Sequence, residues 1–233
     1  MSFRFQQFTV EDSHSSLRIG TDAMLLGSWA NPRNAKTILD IGTGCGVLAL
    51  MMAQNADASI DAIEIDEPSV VEAQLNFSQS PWPDRLKAIH SSLQEFSNHT
   101  SHKYDFIISN PPYFSHALKS PLARKNQARH DEKLSLTELV QHTSRLLADH
   151  GLFSVILPAD QKLNFMQVCY NTGLFISRSM MVHPKPNTFP KRVLMEFSKI
   201  KGDGHIESAL TIQDDQGKFT AEYLALTGCF HQF

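Results

Sequence analysis

The chain has 233 residues, of which 42% are hydrophobic and 19% charged, and its formal net charge is −3. This is the make-up of a globular protein with one substantial core, and it excludes a uniformly cationic nucleic-acid coat. No apolar run approaches the roughly 18 residues that span a bilayer. Cys45, Cys169 and Cys229 are odd in number, widely spaced and without a CxxC pair. That pattern argues for a reducing compartment and against a disulfide framework or zinc site. Met1 to Phe8 carries no signal-peptide core, so a cytoplasmic location is expected. The charge is unevenly spread: residues 1–114 sum to −6 and residues 115–233 to +3. A mildly basic second half leaves room for a local nucleic-acid footprint.

In chain order, Phe3, Phe5, Phe8 and Val10, then Leu17 and Ile19, predict two short strands joined by the polar turn Glu11 to Ser16. Thr21-Asp22 opens a short apolar helix from Ala23 to Ala30, ended by Asn31-Pro32. Lys36 to Ile41 reads as a strand, Gly42-Thr43-Gly44-Cys45-Gly46 as a tight turn, and Val47 to Gln54 as a strongly apolar helix. Glycines between a strand and a helix allow close backbone approach to a ligand at the helix N-terminus. The same spacing also serves a ligand-free strand–helix turn. Asp40 places a carboxylate at the strand's end, which suits a cationic amine better than a pyrophosphate.

Ser59 to Ile65 is the second strand. Glu64 lies 24 residues after Asp40, a position suited to bonding a ribose diol. Asp66 and Glu67 read as solvent-facing or helix N-terminal charges, with Pro68 in a first turn, and the helix continues through Ser69 to Phe77. Arg85 to His90 is the third strand, followed by Ser91, Ser92 and Leu93 where its end could touch an adenine ring. Tyr104 to Ser109 is the fourth, and it delivers Asn110-Pro111-Pro112-Tyr113. Two consecutive prolines end a strand ladder. The Asn110 side-chain oxygen and the Pro111 carbonyl can accept both N–H bonds of a planar amino group while Tyr113 stacks on its ring. Alone, the tetrapeptide reads equally as a proline-rich turn.

Residues 114–133 read as a long polar loop bearing Lys119, Arg124, Lys125, Arg129 and Lys133, either a cationic lid for a phosphate backbone or a solvated surface loop. Ser135 starts a helix to Asp149, Gly151 to Leu157 is the fifth strand, and Ala159 to Asn171 is a helix closed by Gly173. Leu174 to Val182 and Arg192 to Phe197 form a last antiparallel hairpin. Its loop, His183 to Lys191, is proline-stiffened with basic and aromatic residues interleaved. Residues 201–217 read as turn and hairpin material, and the tail from Phe219 as a short helix. Strands alternating with helices predict an α/β, doubly wound and mostly parallel sheet of seven strands with helices on both faces. Residues 1–35 are expected as an N-terminal hairpin-and-helix extension and 36–233 as the catalytic domain.

Asp40 to Gly46, Glu64 and Asn110 to Tyr113, in this order, resemble the Rossmann-like class I S-adenosylmethionine-dependent methyltransferases that modify amino groups. The resemblance implies that Asp40, Gly42, Thr43, Gly44 and Gly46 hold the methionine end of the cofactor. It likewise implies that Glu64 binds the ribose, that Ile65 packs on the adenine with Ser92 and Leu93 nearby, and that Asn110 borders both cofactor and substrate. Many relatives carry an acid at the position of Ser92. A narrower match runs through Phe5-Gln6-Gln7-Phe8, Arg18 to Ala30, Ala128-Arg129-His130-Asp131, Leu134-Ser135-Leu136 and Lys191 to Phe197. These segments resemble the bacterial tRNA adenine-N6 methyltransferases acting on a valine tRNA. That family implies a tRNA substrate, methylated at the adenine 3′ of the anticodon.

On this reading Asn110, Pro111, Pro112 and Tyr113 are catalytic. Tyr113, Phe114, Arg124, Lys125, Arg129, His130, Lys185, Lys191 and Arg192 face the RNA. The reaction needs neither a strong base nor a metal, and the eleven histidines include no HxH or HExxH pair. A monomer without membrane contact is expected. Two other readings stay open: a glutamine-N5 methyltransferase of release factors, where a side-chain amide poses the same lone-pair problem, and a non-catalytic RNA-binding protein on a methyltransferase fold.

Overall fold

In a computed structural model, residues 1–14, 19–32, 34–112 and 134–230 are described. The N-terminal strands β1 (Ser2–Arg4) and β2 (Thr9–Glu11) form their own antiparallel pair, in which Phe3 faces Val10. Their turn therefore lies at residues 5–8, not at the expected Glu11 to Ser16, and Leu17 falls outside the described residues. The reason is burial: Phe5 and Phe8 stack on each other at 4.5 Å and join the core, so these aromatics serve as a packed turn. Helix α1 (Thr21–Trp29) follows.

The main sheet has eight strands, one more than expected. They are β3 (Thr37–Ile41), β4 (Ser59–Glu64), β5 (Leu86–His90), β6 (Tyr104–Ser109), β7 (Leu147–Pro158), β8 (Phe175–His183), β9 (Arg192–Ser198) and β10 (Ile206–Thr211). Their spatial order is β10-β8-β9-β7-β6-β3-β4-β5. Only β9 is antiparallel to its neighbours. The extra strand, β10, pairs in parallel with β8 from Ile206↔Arg178 to Thr211↔His183. Its residues are mostly exposed at the sheet's edge. It therefore lacks the apolar alternation that marks a half-buried strand and is made by its ladder partner.

Alternate side chains feed two cores. Ile38, Ile60, Ala62, Phe106 and Ile108 point to one face, where they meet α1, α2 (Val47–Asn55), α3 (Glu67–Ser78) and α7 (Ala221–Thr227). Leu39, Ile41, Ile63, Ile107 and Val155 point to the other, against α4 (Leu93–His99), α5 (Leu136–Leu146) and α6 (Lys162–Asn171). Period-two alternation with apolar residues on both sides is what a sheet covered by helices requires. Helix α2 is apolar all round because α1 covers its outer side. The two helices approach so closely that a Cβ on Gly27 would lie 2.3 Å from Met51 Sδ.

Two boundaries differ from expectation. Helix α5 starts as foreseen, with a capping box between Ser135 and Glu138, but it ends at Leu146 and β7 begins at once. The strand bulges before Gly151, where a Cβ would come within 2.8 Å of the Tyr104 carbonyl. Helix α4 was not foreseen, although Ser92-Leu93-Gln94-Glu95 carries the S-x-x-E start signal, and the Ser92 hydroxyl accepts from Glu95 N–H at 3.1 Å. Among the described residues, no helix is long and apolar enough to cross a membrane.

Candidate active site

The carboxyl ends of β3, β4, β5 and β6 lie side by side, since Ile41 pairs with both Ile63 and Ser109, and Glu64 with His90. Open parallel sheets bind ligands at this edge. The glycine turn is built there as a left-handed path: Gly42, Gly44 and Gly46 have φ of 71°, 55° and 88°. Only glycine adopts such angles without strain. The N–H groups of Gly42 and Thr43 both donate to the Ile63 carbonyl, at 2.9 and 3.1 Å, so the turn is tied to the neighbouring strand. A Cβ on Gly46 would lie 2.5 Å from the Phe77 ring, so α3 backs the turn closely, whereas a Cβ on Gly42 would meet open space.

Asp40 sits under this turn, fully buried. Its Oδ2 accepts from the Thr43 hydroxyl at 2.5 Å, while its Oδ1 has no hydrogen-bond partner among the described residues. Burial pushes its pKa up to about 7, a rise opposed by the Thr43 hydroxyl and the N-terminal amide of Ala49 and assisted by the Glu64 charge. A buried acceptor without a partner is costly. A donor, such as a cationic group brought down onto the turn, would satisfy it.

Glu64 closes the turn from β4. Its Oε2 accepts from Gly44 N–H at 3.0 Å, and its Oε1 from the N–H groups of Ile65 and Asp66 at 2.8 and 3.1 Å. The carboxylate is thus oriented by three backbone donors and keeps lone pairs for hydroxyl donors. Ile65 is 50% exposed, an apolar shelf beside Glu64 for a flat ring. Leu93 does not share that surface, being buried in the second core. The Ser92 hydroxyl caps α4 with one lone pair. Asp66 and Pro68 behave as helix-start residues: Asp66 caps α3 by accepting from Ser69 N–H.

Asn110 follows β6 directly. Its side chain is half-buried and makes no hydrogen bond within the described residues. Pro111 is buried and Pro112 exposed. Just before them, the Ser109 hydroxyl donates to the Ile41 carbonyl at 2.9 Å, which clamps the end of β6 to the root of the glycine turn. Ser109 has no distinctive signal in the sequence, being a serine that ends an apolar strand. Nor does Asn76, a helical carboxamide in the sequence, whose side chain donates to the Cys45 and Glu11 carbonyls. Tyr113, Phe114, Arg124, Lys125, Arg129 and His130 lie outside the described residues. Lys185 and Lys191 are exposed at the same edge of the sheet, in the loop between β8 and β9. Arg192 is engaged by Asp22 of α1, its Nε donating at 3.0 Å to each carboxylate oxygen. Among the described residues, no group of three or more His, Cys, Asp and Glu is placed to hold a metal ion.

The methyltransferase small domain family matches residues 12–168. The tRNA1(Val) (adenine(37)-N6)-methyltransferase of Phocaeicola vulgatus is 43% identical over 230 residues, covering 98% of this chain and 97% of the relative. The protein of the same name from Bacteroides fragilis is 41% identical over the same shares. Among solved structures, one described as a predicted O-methyltransferase of Agrobacterium tumefaciens aligns with a TM-score of 0.68 at 18% identity, covering 90% of this chain and 96% of that one. A Thermus thermophilus 16S rRNA N2 G1207 methyltransferase, solved with AdoMet and guanosine, aligns at 0.58 with 17% identity, over 86% of this chain and 50% of its own. These distant structures speak to the fold.

Proposed function

The chain belongs to the methyltransferase small domain family, among the tRNA1(Val) (adenine(37)-N6)-methyltransferases, and from that membership we propose its reaction. It transfers the methyl group of S-adenosylmethionine to N6 of the adenine 3′ of the anticodon, position 37, in a valine tRNA. The observation that carries the reading is the Asn110 carboxamide, unpartnered within the described residues at the end of β6 and clamped through Ser109 to the glycine turn.

Asp40 and the turn Gly42-Thr43-Gly44-Cys45-Gly46 would hold the methionine end, Glu64 the ribose hydroxyls, and Ile65 with the Ser92 region the adenine. The cofactor, when bound, supplies a methyl group made electrophilic by its sulfonium. The remaining task belongs to the protein. The exocyclic nitrogen of adenine is a poor nucleophile because its lone pair is delocalised into the ring. Asn110 Oδ1 and the Pro111 carbonyl accept its two N–H bonds and so favour a pyramidal nitrogen with the lone pair directed at the methyl carbon. Pro111 and Pro112 stiffen the backbone that presents these acceptors. Tyr113, with Phe114, stacks on an adenine splayed out of the anticodon loop. Orientation and fixed dipoles carry the rate.

Arg124, Lys125, Arg129, His130, Lys185, Lys191 and Arg192 are assigned to the RNA-facing side, and residues 1–35 to an extension that covers the mouth. The protein is proposed to act as a monomer in the cytoplasm. The test is incubation with labelled S-adenosylmethionine and either unmodified tRNA or release factor, with the labelled product identified by mass. N6-methyladenosine from tRNA supports the reading. Label in release factor would move the activity to glutamine, and cofactor binding without transfer would leave a binding role.

A further inference from the structure

The loop between β8 and β9 is unusual for a surface connection in being held from within. His183 Nδ1 contacts the Thr188 carbonyl at 2.7 Å, and the Thr188 hydroxyl donates back to the Lys185 carbonyl at 2.7 Å. Lys191 N–H closes the root on the Val182 carbonyl at 2.9 Å, and Asn187 takes a left-handed φ of 56° at the tip. Pro184, Pro186 and Pro190 fix three further φ angles. Arg192, at the foot of the loop, is anchored to Asp22.

On this rigid support Phe189 is 89% exposed, the most exposed of the large apolar side chains on the described surface. Lys185 and Lys191 flank it, both exposed and without an ion-pair partner among the described residues. The loop stands at the carboxyl edge of the sheet, because Arg192 pairs with Pro158 at the end of β7 and with Val182 of β8. Asn110 emerges from that same edge. Nothing in folding favours an ordered aromatic ring in water between two unpaired ammonium groups. Single-stranded nucleic acid matches it: a base offers a π-face to the ring, and the flanking phosphates meet the lysines.

We propose that the 183–191 loop is a preformed second docking site for the RNA, in which Phe189 stacks on an unpaired base other than the one methylated and Lys185 and Lys191 hold its neighbouring phosphates. The inference rests on the RNA substrate proposed above. Preorganisation is what makes such a site useful, since a loop already ordered loses little entropy when it binds.

The experiment compares the full chain with Phe189→Ala, Phe189→Tyr and the double variant Lys185→Ala/Lys191→Ala, using unmodified valine tRNA. A second RNA carries 2-aminopurine in the anticodon loop outside position 37, so that stacking is read as fluorescence quenching. Expected for F189A is a rise of about tenfold in KM for tRNA, with kcat, cofactor affinity and thermal midpoint unchanged and the quench lost. F189Y restores both KM and quench. The double lysine variant lowers the salt slope of RNA binding by about 0.7 per residue. Wild-type methylation with an F189A variant indistinguishable in KM and quench would overturn the docking site and leave the proposed function standing. A wild-type protein that neither binds nor methylates tRNA would overturn both.

Discussion

Asn76 joins two distant parts of the chain through one carboxamide, donating from Nδ2 to the Cys45 carbonyl inside the glycine turn at 2.8 Å. The same nitrogen donates to the Glu11 carbonyl at 2.9 Å, while Oδ1 accepts from Glu11 N–H at 2.9 Å. Strand β2 is thereby paired to α3 as if to another strand, and α3 is fastened to the glycine turn. Asn76 is almost fully buried, and its bond to the Cys45 carbonyl is shut off from water.

Asn76→Ala leaves the buried Cys45 carbonyl unsatisfied and unfastens Glu11, and is expected to lower unfolding stability by about 1–3 kcal/mol. Affinity for S-adenosylmethionine should fall with it. Asn76→Asp gives no rescue, because it removes the donor that two carbonyls need. Urea unfolding and a cofactor titration on both variants decide this.

Asn110→Ala is expected to reduce kcat by about 100-fold or more, the scale for loss of one oriented polar group at a reacting atom. The tRNA dissociation constant should stay within about twofold. Asn110→Asp keeps an acceptor oxygen and should retain more activity than N110A. Single-turnover methylation alongside RNA binding separates the two effects. Loss of RNA binding in N110A with intact chemistry would contradict the role given to Asn110.

Asp40 gives stability a pH dependence whose sign follows from its raised pKa, about 7 against an unfolded value of 3.8. Between those values the folded state holds the proton more tightly, so the contribution of Asp40 to stability is fully present below about pH 4 and is lost as pH rises through about 7. The separation corresponds to a loss on the order of 4 kcal/mol. Asp40→Asn should remove this decline, giving a flatter stability profile across that window by denaturant titration. In the wild type, cofactor binding near pH 6.5 should release protons from Asp40 as the cationic end arrives. Calorimetry in buffers of different ionisation enthalpy reads that release directly.

Gly46 and Gly173 both have left-handed φ, 88° and 80°, but different surroundings. A Cβ at Gly46 would strike the Phe77 ring, whereas one at Gly173 would meet nothing within 4 Å. Gly173→Ala is expected to cost about 1–2 kcal/mol from backbone strain alone, with cofactor binding intact. Gly46→Ala should cost more and weaken cofactor binding by displacing the turn. Thermal unfolding with and without cofactor tells these two outcomes apart.

The strand–turn–helix from Thr37 to Asn55 was legible in the sequence because apolar runs and glycines act over a few residues. So were the strand ending at Ser109 before two prolines and the helix start at Ser135. Strand β10 was not legible, since a mostly exposed edge strand has no periodicity of its own and exists through its ladder to β8. Phe5 and Phe8 were legible as apolar but not as a turn, because stacking between side chains decided their geometry. The site followed the same division. Asp40, Glu64 and Asn110 could be named as candidates from order and spacing, and the sheet brings the strands that carry them side by side. The Ser109–Ile41 clamp, the Asn76 link 65 residues back to Glu11, and the Arg192–Asp22 pair 170 residues apart could not. By itself the sequence determined the elements with strong periodicity or turn signals and which side chains stand at their ends, because periodicity and turn chemistry act between near neighbours. Only the tertiary structure decided which distant polar groups satisfy one another, because those bonds arise only once the sheet has brought the strand ends together.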